Sequence, residues 1–494
     1  MKSILRLFYF FIYVLSFISF ICTTLLAQAP DTLWTKRYGW DDHEWGYSVQ
    51  QTSDSGYIIV GSRWSAATSS ADVWLIKSDT NGDTMWTNTF GGGENEYGYS
   101  VQQTKDGGYV ITGSTTINGF GTEDILLIKT DSFGDTIWTK KFGDSSSDIA
   151  YSVQQTLDSG YIITGFTKSH ISFSSADVLL IKTDSFGDTI WTKTFGGSNA
   201  DIGSCVKKTT DGGYIITGMT LSFGTGHGDV WLIKTDSVGN PQWTKTVGGN
   251  TAHQGYYVQQ TSDQGYIIAG YKKYGLEPGS YNALLIKTDS SGDAIWTKII
   301  GDSTTPGKFK SVHQTSDGGY IMVGDISFND KADVLLVKVN TSGDILWTKT
   351  LGGNDYDFGE SVQQTTDSGY IIVGYTESFG TGYYDLWLIK TEPDPSSAIE
   401  IDFTKFPEEI TLSQNYPNPF NPSTKIKFEL PKPETVKIEV FNIIGQKIET
   451  LLNKPMPAGY HEVEFSGQNL SSGIYLYKIE TGAWKDVKKM ILLQ

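Results

Sequence analysis

The chain has 494 residues, with 38 Lys and Arg against 55 Asp and Glu, and a formal charge of −17. That length admits more than one domain, and 38% hydrophobic with 13% aromatic content can build a sizeable core. The acidic balance repels polyanions and argues against nucleic-acid binding; with only Cys22 and Cys205, the first in a segment expected to be removed, the mature chain has no internal disulfide or cysteine zinc site.

Lys2 and Arg6 precede an uncharged apolar run, Leu7 to Leu26, followed by small residues at Ala27 and Ala29. This pattern predicts a secretory signal peptide over 1–27, cut ahead of Gln28, and no membrane span once it is removed. A membrane anchor is the competing reading, because the run is about long enough to cross a bilayer. A lipoprotein site at Cys22 is disfavoured by Ile21, which stands where a small residue is expected.

From Asp31 to Lys390 one unit recurs about every 52 residues. It is marked by Trp-Thr at Trp34, Trp86, Trp138, Trp191, Trp243, Trp296 and Trp347, and by Gly-Tyr from Gly56-Tyr57 to Gly369-Tyr370. In the second unit the strand-length segments are Ser100–Thr104, Tyr109–Gly113, Asp124–Lys129 and Ile137–Lys140, β-rich and separated by Asp- and Gly-containing turns. Four antiparallel strands at this period predict a β-propeller blade. Middle strands such as Tyr57–Val60 and Val73–Ile76 are apolar on both alternating faces, so they need cover on both sides, as stacked blades provide. The chain enters with a lone Trp34 strand and leaves after Asp385–Lys390 with none. Leu33–Lys36 is therefore expected to complete the last sheet and close seven blades.

The segment Thr130-Asp-Ser-Phe-Gly-Asp-Thr-Ile-Trp138 resembles the docking motif of quinoprotein (PQQ-like) propeller repeats. The resemblance implies fold alone: its Asp, Gly and Trp are structural types, and no cofactor is expected. The Asp before each third strand, at Asp72, Asp124, Asp177, Asp229, Asp333 and Asp385, reads as a loop cap. The Gln pairs from Gln50-Gln51 to Gln363-Gln364 read as structural amide ladders, interrupted at Lys207-Lys208 and His313-Gln314.

One end of the blades should carry short uniform turns and the other longer variable connections, such as Ser62 to Ala71 and Thr167 to Ala176, where function is expected. Glu44, Glu96, Asp148, Asp201 and Asp357 fall on that face as a carboxylate ring or as a second set of caps. Aromatic residues there include Phe120, Phe173, Phe223 and Phe379, and such platforms among short polar groups suit carbohydrate or protein surfaces. The candidate ligand-binding residues are Trp40, Glu44, Trp45, Trp64, Glu96, Tyr97, Tyr383 and Tyr384. His43, His170, His227 and His253 share the face on different blades, and no metal site is expected of them. Gly-x-Ser-x-Gly, Walker and His-Glu-x-x-His motifs are missing from the sequence, so no catalytic residues are assigned.

Thr391-Glu-Pro-Asp-Pro opens a linker over 392–410, after which the period vanishes. Strand-like runs from Lys425 to Leu493 fit a small immunoglobulin-like sandwich. Asn415, Tyr416, Pro417, Asn418, Pro419, Phe420, Asn421 and Pro422, then Val440–Gln446 with Gly445, Gly473 with Tyr475, and Lys488–Leu492 follow in order. That string resembles the type A C-terminal sorting domain of the type IX secretion system. The resemblance implies that residues 411–494 engage the secretion machinery and carry the protein through periplasm and outer membrane, to the surface or the medium. The whole reads as all-β: a seven-bladed propeller over 28–391, then the sandwich over 411–494. The expected function is a noncatalytic binding or scaffold module for a glycan or protein. The alternative is an extracellular polysaccharide hydrolase or lyase using Glu44 with Glu96.

Overall fold

The computed structural model describes residues 28–494 except 40–41, 118–121, 169–174, 275–280, 303–304, 329–330, 381–382, 396–408, 432–433, 457–458, 483 and 494. The signal-peptide expectation, Trp40, Phe120, His170 and Phe173 lie outside the described residues. Contacts divide the chain into two units, with the break after Pro395. In the first unit, β1 (Thr32–Tyr38) precedes β2 (Glu44–Gln51), β3 (Tyr57–Ser65), β4 (Ser70–Ser78) and β5 (Thr84–Phe90). β2 to β5 form one antiparallel sheet, and the pattern repeats to give seven four-stranded sheets, a β-propeller. β1 is the outer strand of the last sheet and pairs with Asp385–Thr391 in the register Trp34↔Lys390 to Tyr38↔Leu386. The expected clasp is formed, and it covers the two sheet edges that the chain ends would leave open.

Both faces of each middle strand are buried because each faces a different neighbour. Ile58, Ile59 and Val60 are all buried. Ile59 packs with Ile371 and Val373 of the preceding blade, whereas Ile58 and Val60 pack with Val101 and Ile111 of the next. Each such side chain contributes roughly 1.5–3 kcal/mol of hydrophobic stabilisation. The fourth-strand Trp docks one blade onto the next. Trp86 meets Tyr109 edge-on at 5.8 Å and covers Gly134, whose φ of +81° and close approach to the indole both require glycine. Asp131 shapes that turn by accepting from the N–H groups of Phe133 and Asp135 at 2.9 Å. The final sheet lacks the turn, and Asp394 stands in for it: the Trp347 indole donates to its carboxylate at 3.0 Å, and Tyr370 bonds the other oxygen.

The innermost strand departs from the expected boundaries. It starts four residues before Ser48, at Glu44, and the counterpart in the second blade starts at Glu96. The register shifts between Gly46 and Ser48, and between Gly98 and Ser100, so Tyr47 and Tyr99 are β-bulge residues. The bulge breaks the period-2 pattern, so strand and loop look alike in sequence there. β3 and β4 likewise extend into the stretch read as a loop, placing Trp64 opposite Ala71 on the ladder. Opposite each bulge the partner strand carries glycine. A Cβ on Gly113 would lie 1.6 Å from the Tyr97 carbonyl oxygen, which is backbone and cannot swing away. Gly113→Ala is expected to cost about 3 kcal/mol or more, read as a lowered denaturation midpoint, whereas Lys105→Ala, in an exposed turn, should be near neutral.

A buried lysine at the same place in every blade forms an ion pair with the Asp of the tight turn. The pairs Lys77–Asp54, Lys129–Asp106, Lys182–Asp158, Lys234–Asp211, Lys287–Asp263, Lys338–Asp317 and Lys390–Asp367 span 2.7–3.0 Å. Burial alone would raise these carboxyls, but bonds from the lysine, a neighbouring Thr and a backbone N–H outweigh it and hold Asp158 and Asp211 down at about 2. A depressed folded-state pKa gives stability that is present above the unfolded value of about 3.9 and is lost as pH falls through the folded one. The propeller is therefore expected to lose stability steeply between about pH 4 and pH 2, measurable by urea melts across that range.

The second unit is a two-sheet sandwich. Thr411–Leu412, Ser423–Leu430 and Gly459–Ser466 make one sheet, and Lys447–Met456, Glu434–Asn442, Gly473–Glu480 and Lys485–Leu492 the other. Phe428, Val440, Phe465, Tyr477 and Leu492 share its core. Asn415 is buried and bonds the Pro417 carbonyl and Thr424 at 3.0 Å, and Phe420 packs on Phe465 while its N–H donates to Ile491 O at 2.9 Å. Much of the Asn-Tyr-Pro string thus fastens the domain entry onto its last strand, leaving Tyr416 81% exposed.

Candidate functional site

The seven innermost strands surround an axial cavity of about 560 Å³. A bulge re-aims the extra residue out of its ladder, and here the bulge residues Tyr47, Tyr99, Tyr151, Ser204, Tyr256, Lys310 and Glu360 line that cavity. Tyr47, Tyr99 and Tyr151 come from consecutive blades, with neighbouring rings 5.4 Å apart. Burial raises all three, Tyr151 to about 12, so their hydroxyls are neutral donors and acceptors. The Gln pairs tie blade to blade around this wall. Gln50 accepts from the Gln103 N–H at 2.7 Å and Gln103 from the Ser53 N–H at 2.8 Å, and Gln363 and Gln51 close the ring in the same way.

The opposite side of the channel breaks this symmetry. Lys207 and His313 replace the first Gln in two blades, and Tyr257 and Cys205 replace Ser. The Lys207 ammonium lies 4.5 Å from the Tyr257 ring centre, and the Tyr257 hydroxyl is 2.9 Å from His313 Nε2. Burial opposes the Lys207 charge, but Tyr257 and Cys205 outweigh it and raise its pKa; burial and that charge push His313 down to about 3, so its imidazole is neutral. Lys310 pairs with Glu360 at 3.3 Å. Behind them burial raises Asp325 to about 6 against the pull of Lys308 and Lys310.

A second concentration of groups lies where the ring closes. His43 is sandwiched between Tyr383, at 4.8 Å and 8°, and Trp45, at 5.4 Å and 13°, with Trp64 edge-on at 6.3 Å and Tyr384 at 5.8 Å. Four candidate residues, Trp45, Trp64, Tyr383 and Tyr384, therefore meet around one histidine, and Tyr383 is 65% exposed. Tyr97 is elsewhere, stacked on Tyr99 at 6.3 Å. Glu44 and Glu96 lie on strands and are buried, at 0% and 7% exposure. Glu44 is 3.5 Å from Arg63, and Glu96 accepts from Thr115 at 2.8 Å and from the Gly92 N–H at 3.3 Å. Asp201 and Asp357 do the same work, taking the Gly197 and Gly353 N–H groups at 2.9 and 2.8 Å. Each strand-entry Asp presses on the glycine beside these acids: a Cβ on Gly91 would lie 1.9 Å from Asp72 and 2.7 Å from Glu96. Among the described residues no three of His, Cys, Asp and Glu gather as a metal-binding group.

The channel residues were missed in sequence because the Gln pairs dominate the repeat. The available signal was the two interruptions of those pairs, at Lys207 and His313.

Residues 414–493 match the family described as the Secretion system C-terminal sorting domain, and the C-terminal unit is such a domain. The chain is thus a β-propeller carrying a secretion sorting tail, a secreted or cell-surface protein. An uncharacterized WD repeat-containing protein of Acanthamoeba polyphaga mimivirus is 24% identical over 290 residues, covering 50% of this chain and 19% of that protein, so the chain spans about a fifth of that relative. Among solved structures, PorZ, a surface component of the type-IX secretion system of Porphyromonas gingivalis, aligns with TM-score 0.43 and 11% identity over 92% of this chain and 60% of PorZ. The β-propeller domain of the Trilobed protease from Pyrococcus furiosus aligns with TM-score 0.41 and 10% identity over 73% of this chain and 99% of that domain.

Proposed function

We propose that the propeller is a noncatalytic binding module for an extracellular glycan, delivered by its sorting tail. In this reading residues 1–27 are a signal peptide, 28–391 the binding propeller, 392–410 a linker and 411–494 the address read by the secretion machinery. The observation that carries it is the Tyr383–His43–Trp45 stack, whose exposed tyrosine ends a run of parallel rings at the ring closure. Aromatic faces bordered by polar groups bind sugar rings through their C–H faces while leaving the hydroxyls to hydrogen-bond. The hydrolase reading is weakened by Glu44 and Glu96, because Glu44 is fully buried beside Arg63 and Glu96 is buried holding its own loop, which keeps both from a glycosidic oxygen.

Glycan-array binding of the mature chain tests this. Tyr383→Ala, which removes an exposed ring, is expected to weaken binding at least tenfold with the melting temperature unchanged. A chain that binds no glycan but captures a defined surface protein would replace the glycan reading with a protein-binding one.

A further inference from the structure

The blades are seven copies of one sequence, so a channel position that differs from its counterparts stands out against an internal background. Ser-Val-Gln recurs at Ser48–Gln50, Ser100–Gln102, Ser152–Gln154 and Ser361–Gln363, but the three remaining blades carry Cys205-Val-Lys207, Tyr257-Val-Gln259 and Ser311-Val-His313. These departures are neighbours in space as well as in blade order. Lys207 lies over Tyr257, and Tyr257 bonds His313. The replacements weaken the ring, since Gln154 and Gln259 accept a backbone N–H of the following blade at 2.8 Å, whereas the Lys207 ammonium can only donate and His313 Nε2 is engaged with Tyr257. A purely structural demand would keep glutamine at both places.

The charges decide what the departures suit. Lys310 has Glu360, 3.3 Å away, whereas among the described residues Lys207 has no carboxylate within ion-pair distance. The Lys207 charge is held by the Tyr257 ring and the Cys205 thiol rather than by a carboxylate, so an anionic group entering the channel would meet an ammonium not already committed to an ion pair. The net charge of −17 disfavours a polyanion, so one isolated carboxylate fits better than a run of them. Phenols, serines and amides line the remaining wall, and they match a hydroxylated body. The cavity volume of about 560 Å³ lies within the range of small-ligand sites.

We propose that Lys207, Tyr257 and His313 form a receptor for a single carboxylate on a hydroxylated ligand seated in the axial channel. The Lys207 ammonium meets the carboxylate, and the Tyr257 phenol, held by the neutral imidazole, fixes the ammonium beside it. This inference goes beyond the glycan-binding reading above: it adds a site in the channel that is separate from the Tyr383–His43–Trp45 stack. The carboxylate belongs either to a terminal acidic sugar or to a free hydroxy acid.

Calorimetric titration of the mature chain with D-glucuronate, D-glucose and lactate tests it, alongside Lys207→Gln. That variant restores the residue found in five other blades and should fold at least as well as the parent. The expected result is glucuronate binding at least tenfold tighter than glucose, reduced at least tenfold by Lys207→Gln. Lactate binding as tight as glucuronate would assign the site to free acids, and weaker lactate binding to acidic sugars. Equal binding of glucose and glucuronate, unaffected by Lys207→Gln, would overturn the carboxylate receptor and leave glycan binding standing. Absence of binding to all three would also overturn it, with the array then deciding the broader function separately.

Discussion

Removal of residues 411–494 is expected to abolish surface delivery and leave the propeller in the periplasm. The expectation follows from two separable roles in the tail. Asn415, Phe420 and Tyr475 are buried and hold the sandwich together: Tyr477 accepts the Asn415 N–H at 2.8 Å, and Phe420 pairs with the last strand through Ile491 and Leu493. Tyr416, Ile443 and Ile444 of the same domain are exposed, at 81%, 69% and 75%. Exposed apolar residues on a small domain are a natural contact for a partner. Phe420→Ala, which empties a large aromatic site in a small core, should cost about 3–5 kcal/mol and act like the deletion. Cell fractionation with an antibody to the propeller reads both, and normal surface display of the truncated chain would refute the assignment of the tail as the address.

The second large effect is expected from deleting residues 28–38, which removes β1. Trp34 packs edge-on against Tyr57 at 6.0 Å, the Tyr38 hydroxyl donates to the Gly82 carbonyl at 2.6 Å, and Lys36 reaches Asp83 at 2.6 Å. The strand therefore completes the last sheet and also docks that sheet onto the first. Emptying two aromatic sites costs about 3–5 kcal/mol each, before the lost ladder is counted. The sum is on the order of 10 kcal/mol, comparable with the whole stability of roughly 5–15 kcal/mol of a typical domain. The exposed edge at Asp385–Thr391 would also template strand addition between molecules. Loss of a cooperative melt and the formation of oligomers by light scattering are the expected outcome. A monomeric chain melting as the parent does would mean that the ring holds without its clasp.

The propeller was legible because its constraints repeat: Trp86 with Gly134, the apolar middle strands and the unmatched ends each read correctly in one dimension. The strand limit at Glu44 was not, since a bulge erases alternation where the strand continues, nor was the limit at Ser65, because Ser62-Arg63-Trp64-Ser65 carries no apolar alternation although it stays on the ladder. The buried lysines were also hidden. Lys182 follows an apolar run as a strand-ending charge would, and only the fold brings it to Asp158, 2.8 Å away. In the candidate site, sequence identified ring types but not their convergence. Trp45 and Tyr383 lie at opposite ends of the repeat region and meet through His43 only because the ring closes. The channel was obscured for the opposite reason, since its Tyr47 and Tyr99 sit on bulges whose orientation no periodic rule supplies.

The most direct test of the account is to incubate the mature chain with each glycan it binds on an array and to measure glycan mass afterward. Saturable binding with every glycan recovered intact is the predicted result. Shortened or unsaturated products, lost on Glu44→Gln or Glu96→Gln, would contradict it and establish an enzyme.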